Sequence, residues 1–560
     1  MDVMTERLHG VSSAEWIETL EKAFADSTVE FARAYYLFAT AKLKDTYNSE
    51  AIYARYPILS DASTFGAIQA HYQRHPEDEA SKRLFTAVFE ATLGNRLASQ
   101  SDEIQNLKNQ LKISVAGLNL RHPSTQTLLD ELLYEDVAEW LKKIEDKTVR
   151  ETLYQRMANA YQERVAPRYI ALLQAEDALM AELGYPQRIP FYSETSGHRL
   201  AQLGVQAERL LSSTNQDYHP RMASLYQERT GLDFEKHGVR ADISYVMHGK
   251  NPALEAINSR FSAETLVPLA QRTFDQMGLH FSTVAQVVDY RTLAAYEADV
   301  EQRAQPAPPR ILLDVSRREG KRSRAYVYPA RIPSEVYLSV KPEGGLDDYS
   351  AFFHESGHAL HFANTSPSLR YALALMGNNT VTEAYAYLFQ NLFLNRHWLQ
   401  NMAGLSHQEA LLVVRKGALN DLYMLRRYAS KMRFELHLFD GSGYSQAKAD
   451  RYAQLLTEGT GYRYEAEGWV RDVDAGFYVA DYFTAWTLEA QLRLYLGEQF
   501  GSNGIAFGED WYQNPEAGAF LQSLWQVGNL SQAALAQHLN SSDPTDVSAL
   551  LSLMDYNLNG

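Results

Sequence analysis

The chain has 560 residues, 45% of them apolar and 22% charged, which excludes a largely disordered polymer. Its formal net charge of −16 repels phosphate backbones, so nucleic acid is not an expected partner. There is no cysteine, which excludes disulfides, thiolate metal sites and cysteine nucleophiles and leaves His, Asp and Glu to hold any metal.

The first sixteen residues carry acidic groups early and no continuous apolar run, unlike a secretory signal. No stretch approaches the roughly 18 uninterrupted apolar residues of a membrane span, so a cytoplasmic protein without a membrane partner is expected. From residue 10 to about 185 the pattern is a succession of amphipathic helices. Segments 14–47, 79–97, 101–111 and 124–144 place apolar residues at three- and four-residue spacing. Pro186 and Pro190 interrupt the run, and further helices follow over 198–229 and 263–275. No fixed-period repeat is present, which argues against a solenoid. The Pro-rich stretch 305–309 reads as an extended connector. Short β-prone runs at 311–315, 325–328 and 335–340, with turns at 318–321 and 342–345, predict a small sheet. From Leu346 onward the pattern is helical almost to the end.

The most specific signal lies in the helix that begins there. Asp347 or Asp348 can cap its start. His354 and His358 are four apart, so both imidazoles leave one face and can reach one ion at about 2.0–2.1 Å. Glu355 lies about 100° around the helix from His354, beside the ion without binding it, which suits a base acting on water. Gly357 lets another helix approach closely. The bland alternative is a helix with solvated or core histidines.

A catalytic site that keeps one position open needs a third protein ligand. No histidine follows at the spacing of the longer metzincin motif. Glu383, on a second helix, is the next suitable group. Thr380-Val-Thr-Glu383 is also a capping-box pattern, in which Glu383 would bond the helix start instead.

His354-Glu-Ser-Gly-His358-Ala-Leu-His361, with Glu383 25 residues beyond His358, resembles a known family motif. The motif is the HExGHxxH of the thimet oligopeptidase and oligoendopeptidase F family of zinc metallopeptidases, which are gluzincins with a downstream glutamate ligand. The resemblance implies Zn²⁺ held by His354, His358 and Glu383, Glu355 as the base, and His361 in support. It implies a mainly α fold: a two-lobed helical zincin with a deep central cleft and a small β-sheet next to the zinc helix. The corresponding division is an N-terminal helical lobe (1–190), a helical region completing the cleft (191–309) and a catalytic region (310–560).

Arg318-Glu-Gly-Lys-Arg322 followed by Ala325-Tyr-Val-Tyr328 is similar to the family's strand region. Residues 336–340 would then be the edge strand beside the cleft, able to pair with an extended peptide; an ordinary covered strand is the alternative. The segment 475–486 resembles the aromatic stretch in which the family places phenols facing the zinc. Tyr478 and Tyr482 are four apart, so on a helix both hydroxyls can point one way as oxyanion donors. Core packing is the competing reading of both. The chain departs from the family in its tyrosine spacing and lacks the usual preceding histidine, with Asp472 and Asp474 in that neighbourhood.

The function implied is endo-acting hydrolysis of short peptide substrates. Three alternatives stay open. One is a metallocarboxypeptidase that clamps a terminal carboxylate with Arg426 or Arg427. The others are a non-catalytic peptide-binding protein of the same fold and a zinc hydrolase of non-peptide amides.

Overall fold

The structure is a computed structural model that describes residues 13–42, 48–122, 124–249, 252–290, 292–302, 308 and 310–560. The expected connector at 305–309, apart from Pro308, lies outside the described residues, as do the first twelve positions. The fold is mainly α-helical, as expected, with small sheets. It divides into two compact units, each assembled from three stretches of chain. The first takes the described residues of Met1–Thr92, Ala256–Val414 and Thr484–Leu550; the second takes those of Leu93–Glu255, Arg415–Phe483 and Leu551–Gly560.

In the first unit, helix α1 (Ser13–Ala39) precedes a four-stranded sheet. The strands are β1 (Ala285–Val287), β2 (Ile311–Asp314), β3 (Tyr326–Arg331) and β4 (Glu335–Ser339), followed by helices α2 (Leu346–Asn364), α3 (Thr380–Gln390) and α4 (Pro515–Trp525). The sheet order is β1-β2-β4-β3. β1, β2 and β4 run parallel, and β3 is antiparallel to β4.

Every residue of β2 and β4 is buried, as their continuous apolar runs require of strands covered on both faces. Leu312 and Tyr337 are in register and share a core cluster with Ala32, Tyr36 and Leu37 of α1. The rings of Tyr36 and Tyr337 stack at 4.3 Å. β4 is therefore a central strand, which corrects the expectation that 336–340 forms the edge beside the site. The strand beyond it, β3, is an edge among the described residues; it is less buried and carries Pro329, a residue without a ladder donor and so suited to an edge.

The approach to β3 is fixed by a buried charge cluster. The Asp314 carboxylate accepts from Lys321 at 2.9 Å, Lys42 at 2.8 Å and the Tyr36 hydroxyl at 2.9 Å. Burial works against its charge, but the two lysines outweigh it and hold the carboxyl below its usual range. Lys321 also donates to the Val340 carbonyl at 2.7 Å, tying the turn before β3 to the end of β4.

The second unit is mostly helical. Its small strand pair, Lys112–Ser114 with Glu131–Leu133, overturns the expected helix over 124–144, of which Val137–Leu141 alone is α-helical. Leu132 is buried and both its neighbours are exposed, a period of two that the leucine-rich composition conceals. Arg426 is fully buried, and its guanidinium donates only to protein groups among the described residues. It donates to the carbonyls of Leu211 and Gly459, both at 2.7 Å, which lie near the C-terminal ends of two helices.

Candidate metal centre

Helices α2 and α3 meet at Gly357, where a Cβ would lie 2.7 Å from both Ala386 Cα and the Tyr385 carbonyl oxygen. Both obstacles are backbone, so a side chain there would push the helices apart. Gly357→Ala is expected to destabilise the fold by about 1–3 kcal/mol. Thermal unfolding of the metal-free protein checks this, and an unchanged midpoint would refute the close contact.

The start of α2 differs from expectation. Its N-cap is Gly345 at φ +95°, a conformation that favours glycine. The Asp348 carboxylate turns back to accept from the Glu343 and Gly344 N–H groups at 2.5 and 2.8 Å, and neither aspartate caps the helix.

One turn apart on α2, His354 and His358 face Glu383 on α3. Their candidate ligand atoms all lie within 4.8 Å of one another. Glu383 Oε2 is 3.4 Å from His354 Nε2 and 3.8 Å from His358 Nε2. Tetrahedral bonds of about 2.0–2.1 Å place ligand atoms about 3.4 Å apart, so the spacing suits one shared cation. Glu383 Oε2 is also a buried acceptor with no aligned hydrogen bond. The capping-box alternative fails: Asn379 is the N-cap without a side-chain bond, and Glu383 only gives its backbone N–H to the Asn379 carbonyl at 2.8 Å.

The other nitrogen of each imidazole is occupied. His354 Nδ1 donates to Gln390 Oε1 at 2.8 Å, and His358 Nδ1 lies 2.8 Å from Thr382 Oγ1. Such partners fix the ring and leave Nε2 for a metal. Tyr387 packs edge-on against His354 with ring centroids 5.2 Å apart, and Trp486 packs on Tyr387 at 4.9 Å. His361 is fully buried, with both nitrogens engaged by Thr382 and Gly528, and stands apart from the ligand group.

The ionisable groups of this cluster shift one another's charge. Desolvation pushes the Glu355 carboxyl up to about 7; Glu383 adds to this, while His354, Arg324 and the Val327 N–H oppose it. For Glu383, burial favours protonation, but the two imidazoles and Arg324 prevail and hold it below the usual carboxylate range. Burial and the neighbouring imidazoles bring His358 down to about 3 despite Glu383. His354 also suffers burial, yet Glu383, Glu355 and Gln390 raise it above its ordinary value. Because the proton on His354 competes with a cation for Nε2, zinc affinity should weaken as pH falls through the His354 titration. Chelator competition across about pH 8 to 5 checks this, and a flat profile would contradict it.

Tyr478 and Tyr482 belong to the second unit, at the start of the helix Tyr478–Phe500. Their rings meet at 4.8 Å, as the four-residue spacing predicts, and Tyr482 stacks on Tyr428 at 5.6 Å. Tyr478 is 37% exposed, so it is not a core residue. Neither candidate carboxylate clamp is free. Arg426 is buried against carbonyls, and Arg427 is ion-paired with Asp472.

Sequence reasoning did not single out Thr382, Gln390 or Gly528. Thr382 adjoins a candidate ligand and was available as a signal; Gln390 and Gly528 meet the histidines through tertiary packing alone. The model of peptidase family M3 matches residues 140–486, a span that contains the ligand group, Glu355 and both tyrosines. No match is found among curated proteins.

Proposed function

The chain belongs to peptidase family M3, and from that premise we propose that it is a zinc-dependent metallopeptidase, endo-acting on short oligopeptides. The observation that carries the reading is the unsatisfied Glu383 Oε2 between the Nε2 atoms of His354 and His358. Zinc held there supplies Lewis-acid chemistry, polarising the scissile carbonyl and making water a nucleophile at neutral pH.

Glu355 then takes the proton from the attacking water and delivers it to the leaving amine. Burial favours the protonated form of the Glu355 carboxyl, which helps it hold the proton between the two halves of that transfer. Among the described residues β3 has a sheet neighbour on one side only, and its Val327 bears on the Glu355 carboxyl electrostatically. An extended peptide aligned along that strand would bring its backbone beside the base, with little demand on side-chain identity. Tyr478 or Tyr482 donates to the developing oxyanion. Replacing that donor with phenylalanine should lower kcat by about 10²-fold with KM little changed. A change confined to KM in each of the two single variants would remove both phenols from this role.

The commitment of Arg426 and Arg427 elsewhere favours internal cleavage over carboxypeptidase action. A cytoplasmic setting without nucleic-acid or membrane partners completes the reading. No helix among the described residues is long and apolar enough to cross a membrane. Digestion of a mixed peptide library with and without a chelator tests the function. Internal cuts that vanish with chelator and return with zinc are expected. Release of C-terminal residues alone would indicate a carboxypeptidase, and intact peptides a binding protein.

A further inference from the structure

Thr382 stands immediately before Glu383, and its hydroxyl joins two histidines. Oγ1 is 2.8 Å from His358 Nδ1 and 3.2 Å from His361 Nδ1, and His361 Nε2 is 3.2 Å from the Gly528 carbonyl oxygen. A carbonyl oxygen only accepts, so His361 Nε2 carries a hydrogen. Burial keeps the His361 ring neutral, which leaves its Nδ1 a bare acceptor. The Thr382 hydroxyl has one hydrogen to give. Directed at His361, it satisfies that buried acceptor; Oγ1 must then receive from His358 Nδ1–H. The opposite orientation would leave His361 Nδ1 buried and unpaired, the costly arrangement.

The far end of the chain is held in place. Gly528 has φ +82°, and a Cβ there would lie 2.6 Å from the Leu373 carbonyl oxygen. The next residue, Asn529, accepts from Arg83 Nη2 at 2.6 Å and donates its N–H to Leu373 at 3.0 Å. The His361 ring is fixed between Phe362, stacked at 5.0 Å, and Tyr385, edge-on at 5.1 Å.

We infer that Thr382 and His361 form a one-way hydrogen-bond relay from His358 to the Gly528 carbonyl, which fixes the His358 tautomer with its Nε2 lone pair toward the metal. Both are positioning residues, and the inference rests on the zinc reading above. His354 has a separate support in Gln390, so the relay governs one ligand of the three.

The test compares the wild type with Thr382→Val, which keeps the shape and removes the hydroxyl, and Thr382→Ser, which restores it. Zinc affinity is measured by chelator competition, and the imidazole ¹⁵N spectrum of the metal-free protein reports the tautomer. Thr382→Val should bind zinc about 10-fold more weakly and show a mixed His358 tautomer, with Thr382→Ser close to wild type. Equal affinity and a single Nδ1–H tautomer in Thr382→Val would overturn the relay, as would a serine variant as weak as the valine. A wild type that holds no zinc but shows the single tautomer would instead refute the metal reading.

Discussion

Replacing Glu355 with glutamine is expected to remove nearly all peptide hydrolysis while leaving zinc content unchanged. The substitution keeps size and polarity but removes the group that accepts and returns the proton, a contribution of about 10²–10⁴-fold. Glu355 is not among the grouped ligand atoms, so the metal should stay. The loss should fall equally on kcat and kcat/KM, because the group acts in the transition state. Steady-state kinetics with parallel metal analysis decides it. Activity within a few-fold of wild type would take the base role away from Glu355.

Glu383→Ala is expected to fail one step earlier, by losing the metal. Two imidazoles would remain, without the anionic oxygen that now sits 3.4 and 3.8 Å from their Nε2 atoms. Losing even an outer partner of a ligand costs about 10–100-fold in affinity, so losing the carboxylate itself should exceed about 10²-fold. Hydrolysis should fall to background at ordinary zinc concentrations and return partly in excess zinc. Dialysed protein that keeps one zinc per chain would show that Glu383 is not a ligand. The contrast between the two variants, one loaded and inactive and the other empty, separates proton transfer from metal binding.

Much of this site is legible in the sequence because it depends on local geometry. His354, Glu355 and His358 sit on one turn of helix, where spacing alone sets their directions. Gly357 could be read as a close-approach position, and Ala386 and Tyr385 are what approach it. Glu383 was ambiguous in sequence, since a capping box and a ligand share the same pattern. The structure speaks against the cap: Asn379 starts the helix without a side-chain bond, and the Glu383 carboxylate lies 3.4 and 3.8 Å from the two imidazoles. The sheet was legible in its strands but not in their order. Leu312 and Tyr337 share a face only because β2 and β4 pair, a long-range fact that alternation within one strand does not encode. The helix expected over 124–144 failed for a related reason: its leucines fit both periods, and pairing with Lys112–Ser114 decides between them. The Gly528 carbonyl lies 167 positions from His361, beyond any pattern of spacing.

Diffraction from crystals of the zinc-loaded protein, recorded at the zinc absorption edge, tests the central claim most directly. One anomalous peak is predicted about 2.0–2.2 Å from His354 Nε2, His358 Nε2 and a Glu383 oxygen, with the Glu355 carboxylate outside bonding distance. A peak that excludes Glu383, or that takes Glu355 as a ligand, would contradict the account.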